Sequence, residues 1–319
     1  MRLLDQIVQR PEPVLVQQSN GGLISLPGAD TLAARLEACP IRYVLADDVV
    51  ETCTEAAFDP PGMLGDCCDL IRVPAPMLWI EYNTAACHRA MHRNGCAPEA
   101  PSQRQLAGML VQANAPAYRS GVITLAWESL HGHGAEVGPL TLHFDLDGAA
   151  PAAEAGVAVA PPAIDALQSL FKRTRLTIDP QWRAYYATFA DNQRHFDDLV
   201  HRSAEAVFGS APLAFALFLL IMARTPLVSR PSDLAALNRA RAKRGKRALL
   251  DHVELRLDLS REVEAGASPS TPQRQGPRLH MVRGHLVRRR DHVFWRSPHL
   301  RGNATAGAIL HRTVTIMGA

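Results

Sequence analysis

Aromatic residues are scarce: Phe, Trp and Tyr make up 6% of the 319 positions. Cysteine is absent after Cys96, and the six present (Cys39, Cys53, Cys67, Cys68, Cys87 and Cys96) follow no regular spacing. That argues against a disulfide scaffold, so free thiols in a reducing cytoplasm are expected. Residues 1–6 lack the apolar run of a secretory signal. The longest apolar stretch, 211–223, has 13 residues, too few to span a bilayer, so a buried helix and no membrane partner are expected. The sequence also lacks a Gly-rich phosphate loop ending in Lys-Ser/Thr, and it has no G-x-G-x-x-G, G-x-S-x-G or H-E-x-x-H. These absences argue against the common nucleotide hydrolases, dehydrogenases, elbow-type hydrolases and metalloproteases.

What the chain does have is an apolar content of 47%, enough for a sizeable core, and a divided charge. Residues 230–319 hold 18 Lys/Arg against 7 Asp/Glu, a balance of +11. Residues 1–229 hold 16 against 24, a balance of −8. A basic back on an acidic front suits a polyanion partner, or simple attraction between the two parts.

Periodicity predicts an α+β chain in three parts. Residues 1–150 read as strand-rich, with strands near 41–46, 77–82, 121–130 and 140–147, the last ones forming an antiparallel meander. Residues 151–229 read as helical, over 163–172, 179–208 and 212–224. Residues 230–319 read as a separate, small, basic antiparallel β module. A helix capped by Ser232 or Asp233 and stopped by Gly245 leads into it. Strands are expected over 252–259, 278–290, 293–295 and 309–317.

The densest chemistry sits in Arg278-Leu279-His280-Met281-Val282-Arg283-Gly284-His285, then Trp295, then Pro298-His299-Leu300-Arg301-Gly302. On a strand, Arg283 and His285 share a face and His280 takes the other. A returning loop could set His299 and Arg301 beside them. Arg offers a planar fork to phosphate and His titrates near neutrality. Three readings stay open: phosphate or nucleic-acid binding by Arg283, Arg301 and His280; metal-independent nuclease chemistry with His285 and His299 as acid and base; or side chains that only hold turns. The run 238–247 adds six cations, among them Arg241, Lys243, Arg244 and Lys246, which complement a helix C-terminus or contact phosphates.

Other constellations are weaker. Cys87, His88, His92 and Cys96 have zinc-ligand types without paired Cys-x-x-Cys units. His131, His133 and His143 flank a loop. Cys67 and Cys68 are adjacent and make a poor redox pair. Glu81 falls in a strand of buried character and needs a partner, for which Arg42 or Arg72 would serve. No cofactor and no metal are expected.

The 278–302 signature, together with Asn238-Arg239-Ala240-Arg241-Ala242 and Gly245-Lys246, resembles the C-terminal part of a group of proteins encoded by phages and prophage-like regions. Pro74-Ala75-Pro76 with Trp79-Ile80-Glu81 resembles their N-terminal half more loosely. The resemblance implies a phage or mobile-element setting and no mechanism. The leading expectation is therefore an accessory protein of the host cytoplasm, or one associated with the virion, whose basic back binds nucleic acid or another phosphate-bearing partner. A nuclease, or a virion or assembly component that associates with itself or a protein partner, are the alternatives.

Overall fold

The structure, a computed structural model, describes residues 1–17, 21–58, 63–93, 95, 104–130, 134–148, 167–187, 193–223, 227–257, 278–282, 285–296, 299–301 and 303–309. The fold is α+β. The chain begins α1 (Leu3–Gln9), β1 (Val14–Gln17), β2 (Leu23–Leu26), α2 (Ala29–Ala38), β3 (Ile41–Leu45), α3 (Asp47–Phe58), α4 (Met63–Asp66), β4 (Met77–Asn83) and α5 (Thr84–Arg93). The middle holds β5 (Leu106–Ala113), β6 (Ser120–Glu128), β7 (Ala135–Asp145), α6 (Gln168–Phe171), β8 (Thr174–Ile178), α7 (Pro180–Ala187) and α8 (Gln193–Met222). The remainder is β9 (Leu227–Pro231), α9 (Ala235–Ala242), β10 (Val253–Leu257), β11 (Arg278–Val282), β12 (His285–Arg289), β13 (His292–Arg296), β14 (His299–Arg301) and β15 (Asn303–Ile309).

One eight-stranded sheet, ordered β8-β7-β6-β5-β4-β3-β10-β9, organises the molecule. The expected meander is its antiparallel half, β4 to β8. At the other end β3 runs parallel to both β4 and β10. Strand β4 is buried almost throughout because both its faces are covered. Leu78, Ile80 and Tyr82 pack with α3, α5 and α8, while Trp79 turns to α1 and α2 with Val44, Leu110 and Ala126. Gly108 lies where a methyl group would overlap the Trp79 ring. Gly108→Ala should therefore cost about 2 kcal/mol. Urea unfolding checks this, and an unchanged midpoint would refute the close approach.

The three-part reading needs correction at both joints. The helical middle contains β8, an edge strand of the sheet. Residues 230–257 do not belong to a separate module, because β9 and β10 complete the large sheet. The alternation in β10 is the cause. Leu255 is buried, and its apolar face needs the sheet and α3 beneath it. The front part also carries α1 to α5, which a strand-centred reading passes over.

Helix α8 joins two stretches that the sequence separates at Pro212. The helix runs through that proline, and residues 213–220 beyond it are buried. An interior Pro costs about 3 kcal/mol. Burying Leu213, Phe215, Leu217 and Phe218 stabilises by more than that, at roughly 2 kcal/mol each. By length and composition α8 could cross a membrane, but 72% of its most apolar window is buried inside the protein.

Candidate nucleic-acid interface

Helix α9 has no side-chain N-cap: its N-cap residue is Leu234, so neither Ser232 nor Asp233 fills the expected role. Its C-terminus is better built. Gly245 takes φ +62, a conformation that favours glycine. Its N–H reaches the Ala242 carbonyl, and the Lys246 N–H reaches the Arg241 carbonyl. These two bonds form a Schellman turn. Asn238 clamps the loop from behind, donating to the Leu249 carbonyl and accepting from the Leu249 N–H. Arg241 donates to the Arg247 carbonyl and to Gln9 Oε1. Arg247 donates to the Val8 carbonyl and pairs with Glu37. Arg241 and Arg247 are thus structural.

Arg239, Lys243, Arg244 and Lys246 remain exposed and carry no ion pair among the described residues. The negative end of the helix dipole favours Arg239 and Arg241 in the last turn and Lys243 at the C-cap. Lys243, Arg244 and Lys246 nevertheless stand close together on one turn, with no carboxylate paired to them among the described residues, and repel one another.

The second basic element is the β12–β13 ribbon. His285 faces Arg296, Val287 faces Phe294 and Arg289 faces His292 across an antiparallel ladder. Leu286 and Trp295 are buried in the main core, and Arg288 forks onto the Asp69 carboxylate at 2.9 Å and donates to the Asp66 carbonyl. The ribbon is thereby fastened on the α3/α8 side of the sheet, while the α9 turn sits against α1 and α2 on the other. The two basic elements occupy opposite faces. Arg247–Glu37 and Arg288–Asp69 are also the attraction between basic back and acidic front that the charge division permits.

Register places the remaining expected site residues. His280 faces Arg301 and Val282 faces His299 in the β11–β14 ladder. The His285/Arg296 pair belongs to a different, two-stranded sheet, β12–β13. His299 is thus set opposite Val282, while His285 is set opposite Arg296. The backbone does not pair the two histidines of the proposed acid–base couple. It puts Arg301 level with His280, although strand alternation separates His280 from Arg283 and His285. Arg283 lies outside the described residues, as does Gly284. The closing strand β15 ends at Ile309, and it pairs parallel with β11. Most of the expected 309–317 strand lies outside the described residues.

The other constellations resolve differently. Cys87 interacts with Thr54 and Met91. The His88 and His92 rings are 6.5 Å apart, Cys96 lies outside the described residues, and no three ligand-type side chains cluster among the described ones. His143 bonds Thr177 Oγ1 at 2.9 Å, while His131 and His133 lie outside the described residues. Burial pushes the Cys67 thiol up and the Cys68 thiol to about 11, which keeps both protonated and unreactive.

A cleft of about 500 Å³ opens at the carboxyl ends of β4, β3 and β10, a usual place for ligands beside parallel strands. Its carboxylates are already engaged. Asp47 pairs with Arg89, Glu254 with Arg256, and Asp48 accepts from the Val49 and Leu257 N–H groups. Glu81 does not pair with Arg42 or Arg72. It accepts from the Leu3 and Leu4 N–H groups at 3.0 and 2.9 Å and from Trp79 Nε1. Phe294, Arg289, His292 and Arg296 escape a reading centred on the signature. The apolar triplet Val293-Phe294-Trp295 carries the overlooked signal, since in a strand Phe294 must face away from its two neighbours.

No protein-family description, curated protein or solved structure matches the chain.

Proposed function

We propose that this is an accessory protein of phage or mobile-element type, working in the host cytoplasm, that binds nucleic acid through its phosphates. The observation that carries the reading is the α9 turn: a Schellman turn and an Asn238 clamp hold Lys243, Arg244 and Lys246 exposed, without ion pairs among the described residues. Rigid, clustered cations lower the energy of a bound polyanion and disfavour the free protein. No aromatic side chain is interleaved in this turn, so its contact is with backbone phosphate and carries no sequence preference.

The test is a salt titration of duplex DNA and of RNA on the full chain, followed by fluorescence anisotropy. Affinity should fall steeply with salt. The triple variant Lys243→Ala, Arg244→Ala, Lys246→Ala should reduce the slope of log K against log salt by about 2.7 for duplex DNA, at about 0.9 per phosphate. Absence of binding at low salt, or an unchanged slope in the variant, would sink the reading.

A further inference from the structure

The outward face of the β12–β13 ribbon has a composition that packing does not explain. Leu286 and Trp295 take the inner face, so the residues of opposite parity, His285, Val287, Arg289, His292, Phe294 and Arg296, take the outer one. Phe294 is half-buried there, flanked by the His285/Arg296 pair on one side and the Arg289/His292 pair on the other. A solvent-facing strand position seldom holds Phe unless something covers it. Arg289, Arg290 and Arg296 have no ion pair among the described residues, unlike Arg288, which turns inward to Asp69. At the two-residue turn Arg290 adopts φ +52, where Gly or Asn would be at ease. The tip thus presents a cation from a backbone conformation that its residue type rarely adopts.

Beside the turn, a groove of about 1080 Å³ runs between the ribbon and the end of α8. Arg289, Arg290, His292 and one carboxylate, Asp291, form its charged rim, which stays net positive, and Leu219, Met222 and Phe294 give it an apolar wall. Met222 is 50% exposed on that wall.

We infer that this face binds single-stranded nucleic acid, with Phe294 stacking on an unpaired base while Arg289, Arg290 and Arg296 contact the flanking phosphates. Charge complementarity selects a polyanion, and the aromatic set between cations selects one that can offer a bare base. A duplex keeps both faces of each base stacked, so Phe294 has nothing to meet there. The inference rests on the nucleic-acid reading above and adds a second contact surface to it, on the opposite face of the sheet from the α9 turn.

The experiment compares labelled oligo-dT with a labelled hairpin duplex, both on the full chain. Phe294→Ala should weaken oligo-dT by about fivefold or more and leave the duplex unchanged. Phe294→Tyr, which keeps the ring, should retain oligo-dT affinity. Phe294→Ala without effect on oligo-dT, or with equal loss on both probes, overturns the inference. Displacement of oligo-dT by polyglutamate as readily as by unlabelled oligo-dT also overturns it, in favour of an acidic peptide. If these failures occur while the Lys243, Arg244 and Lys246 triple variant still loses duplex affinity, the proposed function stands and only the ribbon site falls. Wild-type protein that binds neither probe overturns both.

Discussion

Glu81→Ala should destabilise the chain by about 3 kcal/mol, because one side chain satisfies three buried donors. Its carboxylate accepts from the first N–H groups of α1, on Leu3 and Leu4, and from Trp79 Nε1. The residue is wholly buried. A helix of seven residues gains little from its own hydrogen bonds, so α1 persists through docking: Leu3, Leu4, Ile7 and Val8 are all buried against the sheet. Loss of Glu81 removes the anchor at its N-terminus and strands the donors without water. Urea unfolding should show the full loss, and hydrogen exchange should show α1 opening first. A variant within about 0.5 kcal/mol of wild type would refute the anchor.

The same residue gives a pH signature. Burial is the largest influence on the Glu81 carboxyl and raises its pKa, against smaller lowering effects of the Leu4 and Leu3 N–H groups, Arg2 and Trp79. The folded chain therefore holds this proton more tightly than the unfolded chain does. That contribution is complete below the ordinary glutamate value and is lost as pH rises through the higher folded value. Wild type should accordingly lose stability relative to Glu81→Gln from about pH 4.5 upward. A difference that is flat or moves the other way would contradict the raised pKa.

Glu81 also marks where the sequence stops being legible. Its strand and its burial can be read locally, from two prolines ahead of an apolar run. Its partners cannot, since they lie 77 and 78 residues away in a helix too short to announce itself. Strand β10 is the same case at larger scale. Its alternation is plain, but its parallel pairing with β3 joins residues some two hundred positions apart, and no local period encodes that. A separate basic module is what the charge division suggests, because charge is counted along the chain while packing is decided across it. The α9 cations could be read as a group, yet the division between structural Arg241 and exposed Lys243, Arg244 and Lys246 depends on Gln9, on Asn238 and on the φ of Gly245. In the ribbon, attention to the His/Arg signature hides Phe294, although strand parity alone sends it outward.

Arg119→Ala is expected to cost about 4 kcal/mol, and the damage should reach the ribbon. Arg119 is 8% exposed. Its guanidinium donates to the carbonyls of Asp69 and Ile71 at 2.7 Å each, to those of Cys68 and Leu146 at 3.3 Å each, and to Asp147 Oδ1 at 2.6 Å. One planar fork thus fixes the segment from Cys68 to Ile71 against the end of β7. Truncation leaves the Cys68, Asp69 and Ile71 carbonyls without this donor, while the Leu146 carbonyl keeps only its bond from Arg173, which makes no hydrogen bond to the carbonyls of 68–71 among the described residues. Arg119→Lys should recover only a minor part of the loss, since one ammonium cannot reach both segments. The consequence for function follows from Asp69, which the fork holds in place through its carbonyl and which in turn grips Arg288 of β12. A loosened Asp69 releases one of the ribbon's fastenings and leaves the Arg288 bond to the Asp66 carbonyl and the burial of Leu286 and Trp295 to hold it. Hydrogen exchange in Arg119→Ala should therefore rise in residues 68–71 and in 285–296 together, and Arg288→Ala should raise it in 285–296 only. Exchange confined to 68–71 in the Arg119 variant would break the link between this buried arginine and the ribbon.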